Sequence, residues 1–540
     1  MLPGIKWSIL LIFAGRSIRT NMRNFLLTVV VLVNFINGSK AQYPNIQVGT
    51  NNSPNEPSIC INPKNPDQMV AGANTDNYYY SSDAGLTWSE GVLSSSYGVW
   101  GDPAVIADTS GNFYFFHLSV PTWAQWLDRI VCQKSVNGGH TWNNGSFMGL
   151  NGTKDQDKEW AVVDPVNNNI YTCWTQFDKY NSTTPGDSSN IMFSRSLDGG
   201  TTWSAARRIN HKAGDCLDMD NTVEGAVPAI SPNGEIYTSW AGPLGLVFTK
   251  SLDGGVSWPD SNQVLGDIPG GWDYAVPGIY RANGMPVTCC DLSNGPYRGT
   301  IYINWSDQRN GINDTDIWII KSTDGGTSWS DPKRVNDDPA GRQQFFTWMT
   351  VDQVTGYVYT VFYDRRNHNN NLTDVYMAVS KDGGETFLNF KVSETPFSPD
   401  QSIFFGDYTN IAVYDSIVRP IWTRLQNGTL SVMTALVGNI YVGISPEKEK
   451  PVPFSLEQNY PNPVQDITYI SYKIHAPARV SLKVFDVYGH EVATIVSNEL
   501  VSPGKHIEQF NRRDWGLSPG FYYYTLISND LIVKRKMIVD

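Results

Sequence analysis

The sequence predicts an all-β protein, with seven four-stranded blades set around one axis and followed by a small β-sandwich. Three observations predict it. One octapeptide recurs six times at blade-like spacing, a strand-like run ending in an aromatic residue precedes the copies, and residues 454–540 hold short alternating strands of another pattern. Composition agrees: 12% of the 540 residues are aromatic, with 18 Trp and 27 Tyr, and only 17% are charged. That mix favours strands and tight turns over helices. A chain of this length also exceeds what one hydrophobic core usually serves.

The octapeptide copies begin at Ser81, Ser135, Ser196, Ser251, Ser322 and Ser380, and read SSDAGLTW, SVNGGHTW, SLDGGTTW, SLDGGVSW, STDGGTSW and SKDGGETF. Their separations of 54, 61, 55, 71 and 58 residues suit a four-stranded antiparallel unit, and radial repetition of such units gives a propeller. Asp or Asn at the third position can accept hydrogen bonds from its own turn. Gly at the fifth permits positive φ, and the closing Trp or Phe buries a large surface. The octapeptide is therefore read as a hairpin staple, because no catalytic residue is needed six times. A degenerate repeat without the octapeptide spans 410–436, where Ser431 falls about one period after Ser380. This gives seven blades, or six if the last copy only completes a blade begun at 43–49. Pairing that early strand with the last blade would close the ring and remove exposed edges.

At the chain start, residues 22–41 (MRNFLLTVVVLVNFINGSKA) carry a basic residue, an apolar run and small residues before Gln42. This is a signal-peptide pattern, with Met22 as the expected true start and cleavage near Ala41. The region 1–41 is assigned to it, and no later segment reads as transmembrane. The net charge of −12 argues against nucleic acid as a partner. Six cysteines (Cys60, Cys132, Cys173, Cys216, Cys289 and Cys290) show no zinc-ligand spacing. Export would permit disulfides, but buried thiols in strands are an equal expectation, with Cys289 and Cys290 on opposite faces of one strand.

With six copies of S-x-[DN]-x-G-x-[TS]-[WF] in place, residues 55–436 resemble the Asp-box (BNR-repeat) propellers of the sialidase-like superfamily. The resemblance implies the fold for residues 43–445. For activity it implies a sialidase-like glycoside hydrolase, in which three arginines hold the substrate carboxylate, a Tyr paired with a Glu is the nucleophile, and an Asp is the acid/base. The family's first arginine usually stands in an F/Y-R-I-P motif before the first box. This chain has NEPSICINPKNP there (55–66), and no arginine between Gln42 and Ser81.

Propellers place ligands at one mouth of the channel, near the starts of the innermost strands. Those starts fall near Glu56, Asp102, Glu159, Glu224 and Asp407, a carboxylate at the equivalent place of five repeats. Such a ring would raise the pKa of some members or hold a cation. Asp102, Glu159, Glu224 and Asp407 are the candidate acid/base groups. Tyr408 is a candidate nucleophile paired with Glu159 or Glu224. Arginines recur after the second strand at Arg309, Arg365, Arg366 and Arg424. Arg309, Arg365 and Arg424 read either as an anion clamp or, more simply, as partners of neighbouring carboxylates such as Asp307 and Asp364. No cofactor is expected, although the acidic runs 155–159 and 215–220 offer oxygen ligands for calcium without an EF-hand pattern.

Residues 446–453 (PEKEKPVP) read as a linker. Beyond it, about seven short alternating strands suggest a β-sandwich over 454–540. QNYPNP (458–463), VFDVYGHEV (484–492), SPGFYYYTL (518–526) and the closing KRKMIVD closely resemble the type A sorting domain of the type IX secretion system. That resemblance implies the secretion machinery as a partner and a secreted or outer-membrane cell-surface location. Two functions follow from the sequence: an exported sialidase-like exo-glycosidase acting on a glycan or glycoprotein, or a non-catalytic surface binding or adhesion module.

Overall fold

In the computed structural model the described residues are 43–438, 454–486, 490–528 and 531–540, and they form two compact units that divide near residue 440. The signal-peptide segment 1–41 and the linker 446–453 lie outside the described residues.

The first unit contains seven four-stranded antiparallel sheets. Their inner strands are Ser58–Ile61, Ala104–Ala107, Asp155–Val163, Glu224–Ile230, Val287–Cys290, Gln344–Val351 and Asn410–Tyr414. Each inner strand packs on the next, and the last packs on the first, so the sheets are blades around one axis. Middle strands such as Ile170–Phe177 and Val358–Asp364 are buried at every position, because blades cover both of their faces. This is why they read as continuous apolar and aromatic runs rather than strict alternation.

All six octapeptides occupy one structural place. Their first serine is the last residue of the third strand, as in Asn77–Ser81, Ser189–Ser196 and Asp374–Ser380. In the fourth copy Ser251 Oγ donates to Asp253 Oδ1 (2.8 Å) and accepts from Gly255 N (2.8 Å), while Ser257 N donates to Asp253 Oδ1 (2.8 Å). Hydroxyls of Thr202 and Ser257 hold the Asp198 and Asp253 carboxyls down at about 2. The fifth-position glycine has positive φ in every copy, and at Gly255 and Gly326 an added Cβ would strike Phe193 and Phe248 of the preceding blade. The box thus staples its own turn and seats it flat on its neighbour. Trp258 and Trp329 complete the seat with edge-on contacts of 5.0 Å to those same rings.

The seventh blade answers the count. Asn410–Tyr414, Ile417–Gln426 and Thr429–Ala435 supply three strands, and the early strand Asn45–Gly49 pairs antiparallel with Thr429–Ala435 as the outermost fourth. Ser431 lies inside the third strand rather than at its end, so this blade has no staple equivalent. The six cysteines are free thiols; Cys290 is buried and Cys289 is partly exposed, as neighbours on opposite faces should be.

The second unit pairs a three-stranded sheet (Phe454–Leu456, Ile467–Ile474, Gly504–Asn511) with a four-stranded one (Glu491–Val501, Ala478–Phe485, Gly520–Ser528, Leu531–Val539). Ile470, Tyr472 and Ile474 from one sheet share a core with Leu482, Val484 and Leu526 from the other, which makes the unit a β-sandwich.

Candidate functional site at the channel mouth

The inner strands all begin at one end of the channel, and the backbone there is bent to aim side chains at the axis. Glu56, Asp102, Lys158 and Phe346 adopt φ of 50–52°, a region that costs a side-chain-bearing residue about 1–3 kcal/mol. Bulges interrupt the ladder between Asp157 and Trp160, Glu224 and Val227, and Phe345 and Trp348. The irregularities fall in five of the seven blades, and three of the four left-handed residues, Glu56, Asp102 and Lys158, are charged.

What they assemble is a buried ionic cluster. Lys158 Nζ lies 2.9 Å from Asp407, 3.2 Å from Asp102 and 3.8 Å from Glu56, with 5% of its side chain exposed. One ammonium thus ties the third blade to the first, second and seventh. Glu159 and Glu224 are also buried in this chamber, and their carboxyl oxygens have no hydrogen-bond partner. Burial pushes the carboxyls of Glu56, Asp157, Glu159 and Glu224 well above their ordinary range, and neighbouring carboxylates add to the rise. Burial also acts on Asp102 and Asp407, but there Lys158, joined by Arg281 at Asp407, outweighs it and holds both carboxyls low. Carboxyls pushed up by burial and carboxyls held low by Lys158 and Arg281 therefore share one buried chamber.

A lid closes the chamber. The longest stretch between boxes, between Ser251 and Ser322, contains a small hairpin, Asp273–Tyr274 with Ala282–Asn283. From it Arg281 Nε donates to Asp407 Oδ1 (2.7 Å) and its Nη1 to Asp218 Oδ2 (2.7 Å). Asn283 Nδ2 donates to the Asp407 carbonyl (2.9 Å), Asp273 N to Asp220 Oδ1 (2.8 Å), and Tyr180 OH to Asp218 Oδ2 (2.6 Å). The acidic runs 155–159 and 215–220, which offered oxygens for calcium, spend oxygens on Arg281 and Asp273 of the lid, on Tyr180 and on the Lys158 backbone N–H. Among the described residues no group of three or more His, Cys, Asp or Glu side chains is disposed to hold a metal ion. The Lys158 ammonium stands where the sequence suggested a cation.

On the inner side the chamber is floored by aromatic rings. Trp160, Trp348 and Tyr408 meet with centroids 5.6, 5.7 and 6.0 Å apart and plug the channel. Tyr408 is not hydrogen-bonded to Glu159 or Glu224, whose oxygens are unpartnered, so the expected nucleophile pair is not formed. Burial, with the fields of Asp102 and Glu56, also pushes its hydroxyl well above the usual tyrosine range.

Asp102, Glu159, Glu224 and Asp407 are thus brought together, whereas the three arginines are not. Arg309 Nε bonds Asp307 Oδ1 at 2.9 Å and the guanidinium lies over Trp318 at 4.2 Å. Arg365 is buried and donates to the Pro277 carbonyl and to Thr373 Oγ1. Arg424 reaches Ser431 at 3.3 Å. Arg309 and Arg424 are engaged within their own blades, Arg365 reaches across to Pro277 in the 273–283 hairpin, and no partner is shared among the three. Of the two sequence readings of these arginines, Arg309 follows the simpler one, paired with its neighbour Asp307. The cations that do reach the mouth, Lys158 and Arg281, were missed: the first adjoins Glu159 and the second lies in the longest gap between boxes, which were the available signals.

Residues 458–540 match the family described as the secretion system C-terminal sorting domain. The second unit is that sorting domain. It marks the protein as secreted or cell-surface, carried there by the secretion machinery. No curated protein matches the chain. Solved structures similar to it include the Hadza microbial sialidase Hz136, at 14% identity over 68% of this chain and 73% of that one with a TM-score of 0.40. A protein of unknown function from Dyadobacter fermentans is 12% identical over 73% of this chain and 98% of that one, with a TM-score of 0.43. An ulvan lyase of polysaccharide lyase family PL25 is 12% identical over 73% of this chain and 96% of that one, with a TM-score of 0.43. Likeness at this level carries no chemistry across. Ahead of the sorting domain, the chain is a seven-bladed propeller with a lidded, charged mouth, and no described helix is long and apolar enough to cross a membrane.

Proposed function

We propose that the protein is an exported glycan-binding propeller, meeting its ligand on the lidded face rather than turning it over in the chamber beneath. The observation that carries this reading is the saturation of Lys158 by Glu56, Asp102 and Asp407 under a lid that Arg281 latches to Asp407 and Asp218. Groups so paired and covered meet neither substrate nor hydrolytic water. On the outside of the lid, Tyr280 is 59% exposed, makes an edge contact of 5.9 Å with Phe404, and adjoins Arg281, whose guanidinium lies 5.3 Å from the Phe404 ring. Exposed aromatic faces suit the apolar face of a pyranose, and a guanidinium suits its hydroxyls or a uronate carboxylate.

A second reading, an exo-glycosidase, draws on the raised carboxyls of Glu159 and Glu224 beside the lowered carboxyls of Asp102 and Asp407, the kind of divergence that acid/base hydrolysis uses. The mature protein, incubated with a panel of sialosides and other glycosides and with immobilised glycans, separates the two. Binding without sugar release, weakened about 2- to 10-fold by Tyr280→Ala, is the expected result. Sugar release lost in both Asp102→Asn and Glu159→Gln would overturn it in favour of the hydrolase.

A further inference from the structure

Below the aromatic plug the channel opens into a cavity of about 330 Å3, walled by all seven inner strands. Val105, Ala161, Val227, Ala229, Val287 and Met349 are among its lining residues, none of which is charged. Several of its polar side chains are already committed. Ser58 Oγ accepts from Val105 N (3.0 Å), the Thr288 and Ser239 hydroxyls bond each other (2.7 Å), Gln353 Nε2 donates to the Cys290 carbonyl (3.0 Å), and Cys289 Sγ donates to the Met349 carbonyl (3.2 Å). The two ends differ. Trp160 and Trp348 are 5% and 9% exposed at the plug, whereas Val162, Val163 and Thr350, farther along the same strands, and Ile106 of the second blade are partly exposed. The cavity is therefore shut toward the lid and open away from it.

We propose that this cavity is a binding site for a slender neutral apolar ligand, an alkyl chain inserted from the open end with its polar head left outside. The chemistry follows from the walls. Apolar cavities of about 150 Å3 stay dry and take up apolar molecules, and counting about 30 Å3 per water-sized group this one has room for on the order of ten heavy atoms. An ionised head inside would lose its hydration with no opposite charge to meet it. The site is separated from the ionic chamber by the Trp160–Trp348–Tyr408 plug and does not depend on the function proposed for the lidded face.

Titration of the full exported chain with hexanol, octanol and decanol by isothermal calorimetry tests it. Affinity is expected to rise about fourfold for each added methylene, the factor that about 0.8 kcal/mol per CH2 gives, until the cavity is full. Ala229→Phe, which fills the shaft, is expected to lose at least tenfold in octanol affinity. Because overpacking destabilises on its own, it is paired with Met349→Ala, which enlarges the shaft and is expected to move the length limit outward by one or two methylenes. Flotation with phosphatidylcholine vesicles, abolished by decanol, would identify a lipid as the source of the chain; alkanol binding without flotation would identify a free ligand. Absence of saturable alkanol binding, or a length series unchanged in both variants, would overturn the proposal.

Discussion

Replacing Lys158 by Met removes the one ammonium shared by Glu56, Asp102 and Asp407 and leaves a side chain of similar length. In the native protein burial pushes Asp102 and Asp407 upward, but Lys158, with Arg281 at Asp407, more than offsets it. Folded values below the unfolded value of about 3.9 mean that these groups stabilise the fold above that pH, a contribution lost as pH falls through the lower folded values. In the variant burial is opposed less, and the chamber must either keep an uncompensated buried carboxylate or take up a proton. Breaking a buried pair from one side costs about 3–5 kcal/mol. The alternative, protonating one ordinary Asp at 1.36 kcal/mol per unit, costs about 5 kcal/mol at pH 7.5 but about 0.8 kcal/mol at pH 4.5. Lys158→Met is therefore expected to lose about 3–5 kcal/mol at pH 7.5 and about 1 kcal/mol at pH 4.5. Urea unfolding of the propeller, followed by Trp fluorescence at both pH values, reads this directly. Equal losses at the two pH values, or a loss under 1 kcal/mol at pH 7.5, would refute the view of Lys158 as the charge-balancing centre of the mouth.

Glu224, raised by burial and unpartnered, works with the opposite sign: its folded state is favoured below the unfolded value of about 4.3 and penalised as pH rises toward the folded value. Glu224→Gln is thus expected to match the native protein near pH 4 and exceed it by about 1–3 kcal/mol at pH 8 in the same unfolding measurement; a variant less stable at pH 8 contradicts this. Ala84 holds φ 57° at the box position where Gly138, Gly199, Gly254, Gly325 and Gly383 stand in the other copies. Ala84→Gly should raise stability by about 0.5–1 kcal/mol, relief of the left-handed strain exceeding the added chain entropy, and calorimetric melting would show a lowered Tm if this is mistaken. Removing residues 43–49 strips the outer strand from the seventh blade and bares Thr429–Ala435 as an edge. Concentration-dependent aggregation by light scattering is expected, and a monodisperse protein with an unchanged melt would count against edge protection.

The blades were legible because their signals are local. A box serine, its Asp two residues on and the Gly two further make their bonds within one turn, so the pattern survives in sequence, and period gave the count even where Ser431 has no box. The carboxylates near the strand starts were readable only in part: Glu56, Asp102 and Asp407 precede their inner strands and Glu224 opens one, but Glu159 lies inside Asp155–Val163, where Lys158 holds the left-handed φ that Glu56 and Asp102 also adopt. The cations were not, because Lys158 finds its partners on the first, second and seventh blades and Arg281 meets Asp407 126 residues away. Arg309 and Arg366 show the converse: each takes a carboxylate two residues before it, Asp307 and Asp364, an arrangement that sequence proximity already offered. Which of several evenly spaced arginines faces the axis is decided by strand direction and by the 273–283 hairpin, and no period encodes that.

Pairing Asn45–Gly49 with Thr429–Ala435 makes one blade from chain segments about 390 residues apart. At about 5–20 residues per second of synthesis, the first segment waits on the order of 20–80 s before its partner exists. For that interval the nascent chain is an open arc with one unmatched margin, and only arrival of the last inner and middle strands lets it snap into a circle. Timing is thereby written into connectivity: the circle has all its strands only when nearly everything ahead of the sorting domain has been synthesised.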